Sequence, residues 1–194
     1  MRILAVIGSP RKGGNSDMLV DAMIRGAEEQ GAEVEKVYLN DLYLRGCQAC
    51  DACRGDVDDP CVSDDDMPAV HEKLRVCEAL IIGTPIYYFG PSAQTKLFLD
   101  RWYALAGREG QPHAMRGKRI AIAFSYADPD PFTSGAHRIL RDSANWVGAQ
   151  IVGTVYGTAD AKGEIVQNKM VMEQAVELGR GLVGVLPRPL AVPL

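Results

Sequence analysis

The chain has 194 residues, 47% of them hydrophobic and 24% charged, with a formal net charge of −4. That is enough apolar material for one full core and too little basic charge for a nucleic-acid or membrane-surface footprint. No run approaches a membrane span, and the apolar start at 3–7 is too short for a secretory leader and meets Gly-Ser-Pro-Arg where a small-residue cleavage site would be wanted. The expectation is a single domain over 1–194, cytoplasmic, with reduced thiols.

The first strand is expected over 2–8, almost continuously apolar, as a strand buried on both faces is. It runs into Gly8-Ser9-Pro10-Arg11-Lys12-Gly13-Gly14-Asn15-Ser16 and then a helix over 15–30, capped by Asn15 or Ser16, with Gly31 at the left-handed position past its end. Hydroxyls, an arginine and paired glycines ahead of a helix N-terminus make an anion site. Gly14-Asn15 stands where a nucleotide triphosphatase needs Lys-Ser/Thr, and the GxGxxG spacing of a dinucleotide turn is absent. Ser9, Arg11, Asn15 and Ser16 therefore suit a terminal phosphate and favour a mononucleotide; the bland alternative is that they only cap the helix.

A more polar strand over 33–39 suits a sheet edge. Beyond it comes Cys47-x2-Cys50-x2-Cys53-x7-Cys61, in a cysteine-rich loop at about 46–63. Soft thiolates at two-residue gaps reach one ion or cluster without stretching the backbone. A zinc site usually separates its cysteine pairs by a dozen or more residues, and plain redox thiols without metal stay open. Asp51, Asp56, Asp58, Asp59 and Asp64, Asp65 and Asp66 surround the run, against Arg54. Their negative field disfavours an anionic dinucleotide there and favours a protein partner; the last three also suit a helix cap.

The helix that follows has Pro68 in its first turn and an apolar face of Met67, Val70, Leu74 and Cys77, so the fifth cysteine reads as a core side chain. The next strand, 79–84, leads into Thr84-Pro85-Ile86-Tyr87-Tyr88-Phe89-Gly90-Pro91. Three adjacent aromatics in a Pro- and Gly-bounded loop either present ring faces and amides to a flat ligand or close the top of the core. A helix from Pro91 or Ser92 to about Ala104 carries Lys96 and Asp100 one turn apart, with Asp100 and Arg101 read as a structural ion pair or cap. Strands over 119–125 and 151–156 and helices over 136–147 and 164–186 complete the pattern, and the Pro-rich tail 187–194 is extended. His71, His113 and His137 are isolated, and no Ser-His-Asp set appears.

Strict alternation of strands and helices predicts an α/β fold, a doubly wound three-layer sandwich with a five-stranded parallel sheet. Ligands in such sheets bind at the carboxyl ends of the strands, so the loops after the first, third and fourth strands are where chemistry is expected.

The segments SPRKGGNS, PIYYFG and QTKLFLDR resemble the flavodoxin-like NADPH-dependent FMN reductase superfamily, and the order of elements agrees along nearly the whole chain. The resemblance implies strand order 2-1-3-4-5, FMN phosphate at Ser9, Arg11, Gly14, Asn15 and Ser16, and ribityl and ring against Pro85, Ile86, Tyr87, Tyr88, Phe89 and Gly90. Relatives often carry Gly-Gly after the fourth strand; here Ser125-Tyr126-Ala127-Asp128-Pro129-Asp130-Pro131 stands there, with Tyr126 either stacking on the flavin or an ordinary loop residue. The cysteine spacing followed by Val62-Ser63-Asp64-Asp65-Asp66-Met67 resembles the iron-sulfur flavoproteins and implies a 4Fe-4S cluster on Cys47, Cys50, Cys53 and Cys61. The implied activity is an FMN-dependent oxidoreductase passing electrons between flavin and cluster, with NAD(P)H, quinone, free flavin or ferredoxin as partner, in a homodimer or homotetramer. A cluster-free NAD(P)H-dependent FMN or quinone reductase, and a pure electron carrier, are the alternatives.

Overall fold

In the computed structural model, which describes residues 1–54, 61–106, 111–127 and 133–184, the chain opens on β1 (Arg2–Ile7), α1 (Asn15–Glu29) and β2 (Glu33–Tyr38). After the cysteine loop come α2 (Met67–Val76), β3 (Ala79–Tyr87), a two-residue β4 (Gly90–Pro91) and α3 (Ala93–Asp100). The chain continues with β5 (Arg119–Tyr126), α4 (Thr133–Trp146), β6 (Gln150–Thr158) and α5 (Lys169–Val183). The main strands are all parallel in the order β2-β1-β3-β5-β6, and β4 folds back antiparallel on β3. With that short strand counted, this is the predicted flavodoxin-like order.

Alternation along β1 sends Ile3, Ala5 and Ile7 to one face and Leu4 and Val6 to the other. The first set packs with Leu19 and Met23 of α1 and Val171, Ala175 and Leu182 of α5. The second packs with Val70 and Leu74 of α2, Phe98 of α3 and Leu140 of α4. Both faces of the sheet are thus covered, which is why its strands read as unbroken apolar runs. Helices α1 and α5 touch through their backbones: a Cβ on Gly26 would lie 2.0 Å from the Val176 carbonyl oxygen, and one on Gly179 would lie 1.9 Å from that of Met23.

Several boundaries differ from expectation, each for a local reason. Gly14, not Asn15 or Ser16, is the residue that caps α1, and no side chain makes a capping hydrogen bond there. Strand β3 runs on to Tyr87 and β4 takes Gly90 and Pro91, so only Tyr88 and Phe89 of the aromatic segment lie outside the sheet. Helix α3 stops at Asp100 and tightens into a 3-10 turn over Arg101–Leu105. The last helix begins at Lys169, because the Asn168 side chain accepts from the Val171 N–H and caps it there, leaving Glu164–Gln167 as a separate 3-10 turn. Gly31 adopts φ +78° as expected. The tail 187–194, Asp56, Asp58, Asp59 and the segment 128–131 lie outside the described residues. Among those described, no helix is long and apolar enough to cross a membrane.

Cys77 is 4% exposed and ends α2, its thiol 3.5 Å from the Leu74 carbonyl oxygen. Burial pushes that thiol above its usual range. It packs with Leu4 and Leu80, as the apolar spacing predicted.

Candidate functional site

A cavity of about 450 Å³ opens at the carboxyl ends of the central strands. Ser9, Arg11, Gly14, Asn15 and Ser16 line it from the loop after β1; Pro85, Ile86, Tyr87, Tyr88 and Phe89 line it from the end of β3 and its turn. Ser125 and Tyr126 line it from β5. Of the residues nominated for a cofactor, Gly90 alone is not on the wall; it sits opposite Tyr87 in the β3–β4 pairing.

The first loop is held from within. Ser9 Oγ accepts from the Arg11 N–H at 3.1 Å, and the Gly14 N–H donates to the Arg11 carbonyl at 2.9 Å. A Cβ on Gly14 would sit 2.8 Å from that same carbonyl oxygen, so only glycine fits the turn. Asp17, 2% exposed, accepts from the Gly13 N–H at 2.7 Å and from the Tyr38 hydroxyl, and its charge is met by Lys36 at 2.5 Å. The side chains of Asn15 and Ser16 turn sideways: Asn15 Nδ2 donates to the carbonyls of Ala159 and Ala161, and Ser16 Oγ lies 2.7 Å from Ser125 Oγ. The amides of Asn15 and Ser16, first in α1, have no intrahelical acceptor by position and lie at the positive end of the helix dipole, where an anion is favoured.

The aromatic turn is strained. Tyr88 and Phe89, the two central residues of the β3–β4 hairpin, have φ of 46° and 65°, the sign pattern of a type I′ turn, which Asn and Gly normally fill. Tyr88 is 99% exposed and Phe89 58%. The other positive-φ non-glycine residues among those described are Ala49 and Asp51, inside the cysteine loop. Held strain of this kind gathers where a ligand is gripped, and here it marks both sequence motifs.

Cys47, Cys50, Cys53 and Cys61 line one small second cavity together with Arg101 and Tyr103. Cys47 and Cys50 are exposed and the other two half-buried. Burial pushes the Cys53 thiol up, with Arg54 pulling the other way. Among the described residues, no three His, Cys, Asp or Glu side chains converge in a geometry that would hold a single metal ion. Arg101 corrects the expected pairing with Asp100: its guanidinium bonds Asp65 through both terminal nitrogens, the Arg45 carbonyl at 2.9 Å and Cys61 Sγ at 3.2 Å. Asp100 instead pairs with Lys96 at 2.6 Å, as the one-turn spacing predicted. Burial opposes ionisation of Asp65, but the Arg101 bonds and the Arg45 and Met67 amides outweigh it and hold the carboxyl below its usual range.

The histidines do structural work. His71 Nε2 lies 2.9 Å from the Arg101 carbonyl oxygen, His113 Nε2 lies 3.0 Å from that of Trp102, and His137 packs on Phe124 and Tyr156. What sequence reasoning missed is the loop after β6, which brings Ala159, Asp160 and Lys162 to the main cavity. Its Ala-Asp-Ala-Lys-Gly stretch carries no hydroxyl or aromatic signature; only its place after a parallel strand could have flagged it.

The NADPH-dependent FMN reductase family model matches residues 1–163. An iron-sulfur flavoprotein of Methanosarcina thermophila is 35% identical over 126 residues, 61% of this chain and 65% of that protein; one from Archaeoglobus fulgidus is 29% identical over 182 residues, 92% and 77%. The match thus spans less than two thirds of the first relative's length. Among solved structures, the Trp repressor binding protein from Bacillus subtilis superposes with a TM-score of 0.68 at 26% identity, covering 91% of this chain and 99% of that one. With the parallel sheet and the cavity at its carboxyl edge in the same places that the first two sequence motifs occupy, the chain belongs to the NADPH-dependent FMN reductase family.

Proposed function

We propose that the chain is an NAD(P)H-linked, FMN-dependent oxidoreductase in which Cys47, Cys50, Cys53 and Cys61 hold a 4Fe-4S cluster that exchanges electrons with the flavin. The observation that carries this reading is the convergence of the phosphate-type loop and the aromatic turn on one cavity of about 450 Å³, within the range of small-molecule sites. The cradle suits a phosphate: a turn too tight for any side chain at Gly14, two unpaired helix amides, and the cation of Arg11.

Bound FMN supplies the hydride and single-electron chemistry, so no side chain is needed as a nucleophile. Ser9, Arg11 and the amides of Asn15 and Ser16 hold the phosphate. The buried Ser16–Ser125 bond ties that loop to β5 and fixes the width of the cavity. Ile86, Tyr87 and the strained Tyr88–Phe89 turn would lie along the ring from the β3 side, with Tyr126 on the β5 side.

The cluster reading is supported by the donor set: four soft thiols around one cavity suit iron-sulfur or zinc rather than hard cations. The two cavities share no lining residue. Ser92, at the start of α3, bonds the Gly8 carbonyl beneath the phosphate loop, whereas Asp100 and Arg101 at its end line the cysteine cavity. An eight-residue helix spans about 12 Å. Exchange across a subunit interface in a homodimer or homotetramer, or with a protein such as ferredoxin, is the arrangement that the family resemblance implies.

Iron, acid-labile sulfide and flavin are to be measured in protein isolated without oxygen. The expected result is FMN with about four irons per chain; flavin without iron would remove the cluster and leave the reductase. That second reading, a cluster-free FMN or quinone reductase, draws on the lack of a converging ion site among the described residues. Oxidation of NADH or NADPH with quinone or free flavin as acceptor separates both from an electron carrier, which would turn over neither nucleotide.

A further inference from the structure

The loop after β6 leans directly on the phosphate loop. A Cβ on Gly163 (φ +76°) would lie 3.4 Å from the Gly13 carbonyl oxygen, and a Cβ on Gly13 (φ +69°) would meet Lys162 Cε at 3.6 Å and Nζ at 4.0 Å. The loops are in van der Waals contact, and the left-handed backbone at both positions is what calls for glycine. The loop backbone is also pinned. Asn15 Nδ2 donates to the Ala159 and Ala161 carbonyls at 3.2 and 3.0 Å, its Oδ1 accepts from the Ile165 N–H at 3.2 Å, and Glu164 Oε2 accepts from the Asp160 and Ala161 amides. Asn15 thus bonds the β6 loop with its side chain while its own amide opens α1.

This places Lys162 on the wall of the same cavity as Arg11. Neither cation has an ion-pair partner among the described residues. The neighbouring charges are engaged elsewhere: Lys12 with Asp41, Lys36 with Asp17 and Asp21, and Glu164 with the loop amides. Asp160 also lines the cavity and offsets part of the positive field. A phosphate monoester carries between one and two negative charges near neutral pH, more than one guanidinium neutralises. Lysine, a compact charge on a flexible stem, can supply the remainder from the opposite loop.

We infer that Lys162 is a second phosphate-binding cation of the flavin site, and that the Arg11–Lys162 pair makes the chain select a phosphorylated flavin over riboflavin. The inference rests on the FMN reading above. Asn15 is the positioning residue that holds the Lys162 loop in place.

The test titrates FMN and riboflavin by fluorescence quenching into the flavin-stripped chain, as wild type, Lys162→Ala and Lys162→Arg. Wild type should prefer FMN. Lys162→Ala should weaken FMN about tenfold while leaving riboflavin within about twofold, with a flatter dependence of FMN affinity on salt. Lys162→Arg should recover most of the loss. An unchanged FMN affinity in Lys162→Ala, or an equal loss for both flavins, would overturn the role of Lys162 while leaving FMN binding standing. Wild type that binds neither flavin would overturn the FMN reading and the inference together.

Discussion

Arg101 and Asp65, 36 residues apart in the chain, form a two-pronged ion pair whose side chains are 1% and 0% exposed. The same two groups hold both ends of the cysteine loop: Asp65 accepts from the Arg45 N–H at 2.9 Å, and Arg101 donates to the Arg45 carbonyl and to Cys61 Sγ. The loop is therefore closed by protein bonds before any ligand is considered. Breaking one partner of such a pair strands a buried charge. Asp65→Asn should cost about 3–5 kcal/mol, read from urea denaturation, and the double change Asp65→Leu with Arg101→Met should recover part of that loss. A cost under 1 kcal/mol would show that the pair is hydrated.

Acid should destabilise the fold in two stages. His113 and His137 are held below the usual 6.5, chiefly by burial, so the folded state binds fewer protons than the unfolded one. Their contribution is present above about pH 6.5 and is lost as pH falls toward their folded values. Asp65 lies below its usual 3.8, so its share is present above that value and goes only at lower pH. Denaturation midpoints measured from pH 8 to pH 3 should be level at first and then fall in both windows. A rise in stability between pH 6.5 and 5 would contradict the sign.

These two sites show what can be read from residues alone. Strand positions and burial were legible because strands covered on both faces are apolar along their buried length, as 3–7 and 79–82 are; the strand order was legible only through the family resemblance. The phosphate loop and aromatic turn were legible because each concentrates residue types that ordinary turns do not need. Arg101 was not: sequence offers Asp100 beside it, but neighbours one residue apart on a helix point in different directions. Its partner comes from a segment that only the folded chain brings near. Lys162 was hidden for the same reason, since nothing local separates it from any surface lysine.

Loss of the phosphate contacts should show as loss of cofactor. Arg11→Ala removes the cationic side chain of the phosphate loop and should release much of the FMN on dialysis while unfolding stays cooperative. Adding Ser16→Ala, which keeps its amide, should disturb the site only through the lost bond to Ser125, and a stability loss of about 1–3 kcal/mol should accompany it. Full flavin retention would refute the assignment of the loop.

Cys50→Ala should abolish the broad visible absorbance of a cluster and leave the flavin bands in place, measured on protein isolated without oxygen. Cys50 lines the second cavity and not the first. Retained broad absorbance would remove Cys50 from the ligand set.

Backbone contact between α1 and α5 should tolerate no added methyl. Gly179→Ala would drive a carbon to 1.9 Å from the Met23 carbonyl oxygen, and should cost at least about 1–3 kcal/mol as the helices separate. Gly31→Ala meets nothing within 4 Å but sits at φ +78°, so its smaller cost, about 1 kcal/mol, is conformational. Equal midpoints for the two variants would contradict the close approach.

The seclusion of Cys77 in the core makes the protein its own calibration for thiol counting. With one sulfhydryl out of reach and four on or near the surface, a chromogenic reagent applied to the native protein reports on the cysteine loop alone. The fifth equivalent appears only on unfolding. Whatever occupies the loop thus leaves a stoichiometric shadow: the prompt reaction shrinks by the number of sulfurs engaged, while the total after denaturation and removal of any bound metal remains five.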